Sequence, residues 1–454
     1  MKIQIILLIV LLNCSFIPCF TQSNKEVPPS VDLRMYDIIQ QVSSDRIRKD
    51  VITLANFGTR NTFSDTISNS RGIGAATRWI KQRFDSISAQ SNGGLEVFYQ
   101  NNLVKKGENK RILRDVWVKN VIAIQRGKSH NYIIVSGDID SRASDVNNAE
   151  IDAPGANDNA SGLAGVLEAA RILSKYQFNN SIIYAALSGE EQGLFGGEGF
   201  AAYVKEKGWH MIGILNNDMI GNIEGIDGTI DNRSFRIFSE PVPPTETEAE
   251  RNRRRYMGGE VDGISRQLAR YVCKMTEVYM PEMKPMMIYR LDRFGRGGHH
   301  KPFNDAGYAG VRIMEANENY NRQHQDIRIE NGINYGDVVS GVNFGYASKI
   351  TSINAISLAG LAWAPLSPTH VKIGGAVSPS TTLAWDAIDD PNCIGYKIYW
   401  RETIAPQWQY SRFVGKVNTY CLENIIIDNY FFGVAAIGKD GNESTIVFPN
   451  ELMK

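Results

Sequence analysis

The sequence lacks an excess of charge of either sign, because its 49 Lys and Arg residues match its 49 Asp and Glu residues. Domains that bind nucleic acid normally carry a basic surplus, so a nucleic-acid partner is not expected. Cysteine is scarce: the 454 residues contain five, with no Cys-x-x-Cys pair. That scarcity excludes a disulfide scaffold and a cysteine-based zinc module. Beyond the N-terminal segment, no stretch reaches the roughly 20 apolar residues of a membrane span, and none is expected.

The N-terminal segment is predicted to be a targeting signal. Lys2 is followed by an apolar run over residues 3–12, a length typical of the core of a secretory signal peptide. Polar residues follow at Thr21 and Gln22. We therefore predict a signal peptide over residues 1–22 and a secreted or periplasmic mature protein. Lipid attachment at Cys14 is an alternative, but Asn13 matches poorly the small residue expected before a lipidated cysteine.

Residues 23–363 show the alternation of strands and helices that is typical of an α/β domain. The predicted buried strands are the apolar runs at residues 132–135, 182–187, 211–215 and 310–314. Helical spacing of apolar residues marks other segments, such as residues 72–84. Because this alternation favours parallel strands covered on both faces, we expect a mixed, mainly parallel sheet sandwiched by helices.

The pattern changes after a linker marked by Pro365 and Pro368. Short alternating strands separated by turns then predict an all-β sandwich over residues 366–450. This region resembles a fibronectin type III domain, with Trp385 and Tyr430 at the places of that family's core Trp and corner Tyr.

Three cysteines remain after the signal peptide: Cys273, Cys393 and Cys421. The last two fall in the sandwich region and could pair. We expect buried free thiols instead, because three widely spaced cysteines do not form a disulfide framework.

Acidic residues and one histidine gather directly after the predicted strands. They are Asp138, Asp140, Asp158, Glu190, Glu191, Asp218 and His324. Ligands bind at the carboxyl ends of the strands in open α/β sheets, so we expect these side chains to converge on one crevice. Converging carboxylates repel one another, and a divalent metal is the natural counter-charge. Two such ions, about 3.5–4 Å apart, could polarise a carbonyl and activate water, while a Glu that binds no metal takes the proton.

Three sequence strings carry a resemblance to a known family. They are Gly-Ala-Asn-Asp-Asn-Ala-Ser-Gly at residues 155–162, Gly-Glu-Glu-Gln-Gly at residues 189–193 and Asn-Asp-Met-Ile-Gly at residues 217–221. Together they resemble the co-catalytic zinc aminopeptidases of the bacterial leucyl-aminopeptidase type, in zinc peptidase clan MH. The resemblance covers roughly residues 50–360. It implies a zinc exopeptidase fold, of which a fibronectin type III-like domain is a known C-terminal appendage.

The resemblance also implies roles for individual residues. Asp158 would bridge two metal ions, and Asp218 would be a terminal ligand of the first metal. Glu191 and His324 would be terminal ligands of the second metal. Glu190 would be the general base.

The chain departs from the family pattern at two site segments. Asp138 stands where the family has the His ligand of the first metal, and His299 stands where the family usually has an Asp. The first metal would then meet only carboxylate oxygens, which suit Mg²⁺ or Mn²⁺ better than Zn²⁺. We therefore hypothesise that the chain binds one or two divalent ions, with Zn²⁺ at the second site. The first site would be weaker, differently loaded or empty.

The residues around the first site have open roles. Asp138 is either a weak ligand or a bystander. His299 either replaces the missing His ligand or lies, with His300, as a hydrogen-bonded pocket residue. Asp140 normally orients the His ligand from behind, and that partner is missing here.

The expected activity is that of a secreted metal-dependent exopeptidase, in the first place an aminopeptidase, acting on peptide or protein substrates. Metal-activated water would attack the first peptide carbonyl, with Glu190 as the base. Two alternatives stay open: a single-zinc acyltransferase of the glutaminyl-cyclase kind, and a catalytically impaired pseudoenzyme that serves as a binding module. The joint retention of five site residues argues against the pseudoenzyme; they are Asp158, Glu190, Glu191, Asp218 and His324.

Overall fold

The computed structural model describes residues 27–259 and 262–453. The predicted signal peptide lies outside these residues. The first part of the described chain is an α/β domain, which ends with a long helix at Trp363. Its elements are α1 (Arg34–Gln41), α2 (Ser44–Ala55), α3 (Gly72–Gln90), β1 (Glu96–Val104), β2 (Val116–Gln125), β3 (Asn131–Asp138), α4 (Ala160–Leu173), β4 (Ser181–Leu187), α5 (Glu190–Gly193), α6 (Phe195–Glu206), β5 (His210–Asn217), β6 (Ser234–Ser239), α7 (Glu248–Met257), α8 (Ile264–Tyr279), β7 (Lys284–Ile288), α9 (His300–Asp305), β8 (Gly310–Glu315), β9 (Arg328–Glu330), β10 (Ile333–Tyr335) and α10 (Phe344–Trp363), with a 3₁₀ turn at Val339–Gly341.

Eight strands of this domain form one sheet in the order β1-β2-β4-β3-β5-β8-β6-β7. The pairs β4–β3, β3–β5, β5–β8 and β6–β7 are parallel, and the other three pairs are antiparallel. The expected mixed, mainly parallel sheet is therefore confirmed. Asp138 at the end of β3 pairs with Leu187 at the end of β4. The parallel strands β3, β4, β5 and β8 thus end at the same edge.

The central strands are covered on both faces. In β3, Ile133 and Val135 pack into the core that contains α2, α4 and α10, while Tyr132 and Ile134 pack into a second core with α6 and α9. This is the two-residue alternation of a strand. Helix α10 is buried over most of its length, since it packs against α1, α2, α4 and α8. Within the described residues, no helix combines the length and apolar character needed to cross a bilayer.

The C-terminal part forms a separate β-domain with its own core. Its strands are β11 (Lys372–Gly374), β12 (Thr381–Ala384), β13 (Cys393–Glu402), β14 (Tyr410–Gly415), β15 (Thr419–Leu422), β16 (Tyr430–Gly438) and β17 (Glu451–Leu452), with a 3₁₀ turn at Ile427–Asn429. They form one sheet in the order β15-β12-β11-β17 and a second in the order β14-β13-β16. Trp385, Ile398 and Val434 contribute to the shared core, so the predicted sandwich is confirmed. The fibronectin type III assignment stays a prediction.

The three described cysteines are free thiols. Cys273 and Cys393 are buried, as expected, but Cys421 is exposed. The expected burial is wrong for Cys421 because it lies on β15, at the edge of its sheet.

A buried ion-pair network joins the two domains. Asp262, just before α8, lies 2.6 Å from Arg270 of α8 and 2.8 Å from Arg401 of β13. All three side chains are almost completely buried. A buried carboxylate needs cationic partners to offset the cost of leaving water, and here each domain supplies one of them.

Candidate metal centre

The sheet edge where β3, β4 and β5 end carries most of the predicted site residues. Asp138 is the last residue of β3, Asp218 directly follows β5, and Glu190 and Glu191 open α5 after β4. Gly189, which precedes them, has a φ of +72°. A residue without a Cβ adopts this left-handed conformation at little cost, and the chain can therefore turn sharply from β4 into α5.

Asp158 lies in the loop that leads into α4. The side chain of Asn159 caps that helix by accepting a hydrogen bond from the backbone N–H of Gly162 at 3.1 Å. Asp337 anchors the loop, because its carboxylate oxygens accept the backbone N–H groups of Asn157 and Asp158 at 2.8 and 2.7 Å. Neighbouring residues thus perform the capping and the anchoring, and the Asp158 carboxylate is available to the site.

Asp158, Glu191 and His324 form a compact group of metal-binding type. His324 Nε2 lies 2.9 Å from Asp158 Oδ2 and 3.1 Å from Glu191 Oε1, and one ligand atom of each residue lies within 4.8 Å of the others. Burial alone lowers the pKa of His324, but the two carboxylates more than offset burial and raise it to about 10. The pocket beside Asp158 and Glu191 therefore attracts positive charge. Two carboxylates and an imidazole form a three-ligand set of catalytic zinc type, so this group fits Zn²⁺.

Glu190 lies beside this group without belonging to it. It lines an open cleft of about 840 Å³ together with Glu191 and His324. Burial raises the pKa of Glu190 well above its usual value, and the nearby carboxylates of Glu191 and Asp218 raise it further. A carboxyl group with a raised pKa exchanges protons more readily near neutral pH.

Asp140 positions the adjacent glutamates through their backbone. Its Oδ1 accepts the N–H of Glu190 at 3.1 Å, and its Oδ2 accepts the N–H of Glu191 at 3.0 Å. The first N–H groups of a helix have no partner within the helix, so Asp140 caps α5. The role left open by the missing His is therefore support for α5.

The two departures from the family pattern lie in direct contact. His299 Nδ1 is 2.6 Å from Asp138 Oδ1. His299 is completely buried, and burial lowers its pKa to about 4, while burial and the carboxylates of Asp218 and Asp140 raise the pKa of Asp138. The two side chains therefore share one buried hydrogen bond. The other oxygen of Asp138 accepts a hydrogen bond from Asn159 Nδ2 at 2.6 Å.

The histidine pair at residues 299–300 stands apart from the compact ligand group. Within the described residues, His299 Nε2 has no hydrogen-bond partner, and His299 is not a member of that group. His300 is also buried, and its Nε2 lies 2.9 Å from the carbonyl oxygen of Leu291. His299 thus contacts Asp138, while His300 is held by the backbone.

A buried arginine contacts Asp218. Arg312 in β8 lies 2.9 Å from Asp218 Oδ2 and 3.1 Å from Asp292 Oδ2. Burial lowers the pKa of Arg312, but these two carboxylates more than offset burial and raise it above its usual value. Arg312 therefore keeps its charge.

Arg312 was not predicted as a site residue from the sequence, although a signal was present. Arg312 interrupts the apolar run over residues 310–314, which predicts a buried strand. A charged residue inside a buried strand requires a partner. Asp337 and Asn159 were missed too, because their contacts depend on loop geometry.

Of the three carboxylates expected at the first metal, Asp158 belongs to the compact group, whereas Asp138 and Asp218 make other contacts. Among the described residues, neither Asp138 nor Asp218 joins a set of three ligands whose atoms lie within 4.8 Å of one another. Asp138 is hydrogen-bonded to His299 and Asn159, and Asp218 is paired with Arg312.

Comparison with known proteins agrees with this geometry. The family model described as peptidase family M28 matches residues 120–334. A probable zinc metalloprotease from Pyrenophora tritici-repentis is 38% identical over 93% of this chain and 98% of its own length. The chain belongs to peptidase family M28. A probable zinc metalloprotease from Leptosphaeria maculans is 37% identical to this M28 protein, again over 93% of the chain and 98% of the relative.

Solved structures support the same fold. The LapA aminopeptidase of Legionella pneumophila superposes with a TM-score of 0.52 and 15% identity, over 78% of this chain and 80% of LapA. LapB from the same organism gives a TM-score of 0.52 and 16% identity, over 72% of this chain and 75% of LapB. At these identities the similarity shows the fold alone. The predicted zinc-peptidase resemblance and the metallopeptidase class of this M28 protein are confirmed by the family match.

Proposed function

We propose that this M28 peptidase is a zinc-dependent aminopeptidase, with Zn²⁺ held by Asp158, Glu191 and His324. The observation that carries the proposal is the convergence of these three ligand atoms within 4.8 Å. The same cleft of about 840 Å³ also contains Glu190. A site open to the surface on one side can admit the end of a peptide chain.

Glu190 is proposed as the general base. It is outside the ligand group yet lines the same cleft, and burial together with its carboxylate neighbours raises its pKa. When bound, zinc supplies a Lewis acid that polarises the scissile carbonyl and acidifies water. Glu190 would accept the proton of the attacking water and deliver it to the nitrogen of the leaving peptide. Asp140 keeps Glu190 and Glu191 in register through their backbone N–H groups.

The test is release of free amino acids from a panel of unblocked peptides, with N-acetylated copies of the same peptides as controls. The mature protein is stripped with a chelator and then supplied with Zn²⁺, Mn²⁺ or Co²⁺. We expect release that depends on added metal and on a free amino terminus. Equal cleavage of blocked peptides would contradict an aminopeptidase, and release without metal would contradict the zinc site.

A second candidate is a single-zinc acyltransferase of the glutaminyl-cyclase kind. It is favoured by the pairing of Asp218 with Arg312, which leaves a three-ligand set for one metal. The terminal amine of a Gln peptide would attack its own side-chain carbonyl and release ammonia. Formation of pyroglutamyl product, without release of amino acids, would favour this reaction. A folded, zinc-loaded protein that forms neither product would support the pseudoenzyme.

We also propose that the protein is processed and exported, on the basis of the apolar run at residues 3–12 and the polar residues near Thr21. Expression of the full chain in a secreting host, followed by N-terminal sequencing, tests this. A mature protein that begins near Gln22 or Ser23 is expected. A chain that retains residues 1–22 in the cytoplasm would contradict export.

A further inference from the structure

We infer that the guanidinium group of Arg312 takes the place of the first metal ion of the two-metal site, so that the chain binds one divalent ion. The inference rests on the proposed zinc site at Asp158, Glu191 and His324 and defines its stoichiometry. Four features of the described residues support it.

The first feature is the pairing of Asp218. Its Oδ2 lies 2.9 Å from Arg312 Nη2, and its backbone oxygen accepts from the same nitrogen at 3.3 Å. Both side chains are buried. A metal on this carboxylate would sit next to a guanidinium with no water between them, and like charges at such distances repel strongly in a buried site.

The second feature is the anchoring of Arg312. Its Nη1 donates to the backbone oxygen of Gly297 at 2.8 Å and to Asp292 Oδ2 at 3.1 Å. Gly298 lies so close that a Cβ built on it would be 3.2 Å from Arg312 Nη1 and 2.9 Å from Asn216 Oδ1. Gly297 and Gly298 therefore pack against the guanidinium, which is held by hydrogen bonds on the side away from Asp218.

The third feature is the pairing of Asp138. Its Oδ1 is hydrogen-bonded to His299 Nδ1 and its Oδ2 accepts from Asn159 Nδ2, both at 2.6 Å. Ligation would require one of these hydrogen bonds to break. A buried donor left without its acceptor is unfavourable, so the hydrogen bonds compete with metal binding.

The fourth feature is donor chemistry. Asp138, Asp158 and Asp218 offer carboxylates alone, whereas zinc favours sites that include imidazole or thiolate. The set Asp158, Glu191 and His324 contains an imidazole and is the described group whose ligand atoms lie within 4.8 Å. Chemistry and geometry therefore select the same single site.

The test counts the metal ions bound to the mature protein, which contains both domains. Zinc per chain is measured by mass spectrometry after dialysis, and the stripped protein is titrated with Co²⁺ while its visible absorption is followed. We expect one zinc per chain and an absorption change that ends at one equivalent of Co²⁺. Two tightly bound zinc ions per chain, or a break at two equivalents, would overturn the inference.

Four variants, each with a single polar replacement, locate the ion. Asp138→Asn and Asp218→Asn should each keep one zinc, because these carboxylates bind His299 and Arg312. Glu191→Gln and His324→Gln should each lose it. Loss of metal from folded Asp218→Asn protein would contradict the assignment. Circular dichroism checks that each variant is folded, and if Asp218→Asn does not fold, the count in the unaltered protein decides.

The metal count tests the inference about Arg312, and the peptide assay tests the proposed aminopeptidase. Either hypothesis can be contradicted without the other. One zinc per chain without release of amino acids would reject the proposed aminopeptidase and leave the inference about Arg312 intact. Two zinc ions per chain with normal release of amino acids would overturn the inference about Arg312 and leave the proposed aminopeptidase intact.

Discussion

Asp138 and His299 face each other at the end of β3, with Oδ1 and Nδ1 2.6 Å apart. The two positions at which the sequence departs from the family pattern are therefore partners in one contact. An acid and a base have exchanged places across it. Such an exchange preserves a buried hydrogen bond between a carboxylate and an imidazole, but it moves the imidazole from β3 to the start of α9.

This contact predicts strong coupling between the two positions. His299→Asp alone places two buried carboxylates together, and Asp138→His alone pairs two imidazoles. The double variant, Asp138→His with His299→Asp, should recover stability, with a coupling free energy of about 0.5–3 kcal/mol. Chemical denaturation of the four proteins in the cycle measures it. If the changes in the free energy of unfolding of the two single variants simply add in the double variant, the contact does not contribute to stability.

Glu190→Gln should lower turnover by about 10²–10⁴-fold while zinc content and thermal stability stay unchanged. The glutamine keeps the shape of the side chain but cannot accept a proton from water. Turnover on an unblocked peptide and zinc per chain are measured together. Glu206→Gln, at the exposed end of α6, is the matched control and should behave like the unaltered protein. Near-normal turnover of Glu190→Gln would reject Glu190 as the base.

Asp140→Asn should weaken zinc binding by about 10–100-fold, the usual effect of removing support behind a ligand. An amide offers one acceptor oxygen where the carboxylate serves two N–H groups. Competition with a chromophoric chelator gives the zinc affinity. Asp65→Asn is the control, because Asp65 also accepts two backbone N–H groups, those of Ile67 and Ser68, on an exposed loop. Equal zinc affinity in both variants would mean that Asp140 does not position the site.

Arg401→Met should lower the free energy of unfolding by about 3 kcal/mol, because it removes one of two cations from the buried Asp262. The double variant Arg401→Met with Asp262→Asn should lose less, since the uncompensated charge is gone. Urea denaturation compares the two. A larger loss in the double variant would contradict a charge-based explanation.

The central sheet and the site edge could be predicted because their signals are local. Continuous apolar runs predict β4 and β8, and the acidic residues that follow them lie where strand ends meet. Strands β1 and β2 were not predicted. β1 carries polar residues and is only partly buried, and its nine-residue pairing with β2 is a long-range property that local sequence does not encode.

The ligand group at Asp158, Glu191 and His324 was predicted from motif order, and a weaker, differently loaded or empty first site was a hypothesis based on Asp138, but the arginine beside Asp218 was not predicted. The pairing of Asp218 with Arg312 joins residues 94 positions apart, which the parallel pairing of β5 with β8 brings together. The sequence shows that Asp138 and His299 depart from the family pattern. Their contact could not be predicted, because it depends on how α9 packs against the end of β3.

The ion-pair network around Asp262 would be disrupted if the C-terminal part were cleaved from the α/β domain. Here, cleavage near Pro365 followed by release of the C-terminal part would strip Asp262 of Arg401 and leave Arg401 without its acid partner. Each of the two fragments would then contain a charged residue that has lost an ion-pair partner in the other fragment. Loss of the C-terminal part would therefore destabilise the α/β domain, and a replacement module would need a cation in the place of Arg401 to restore the network.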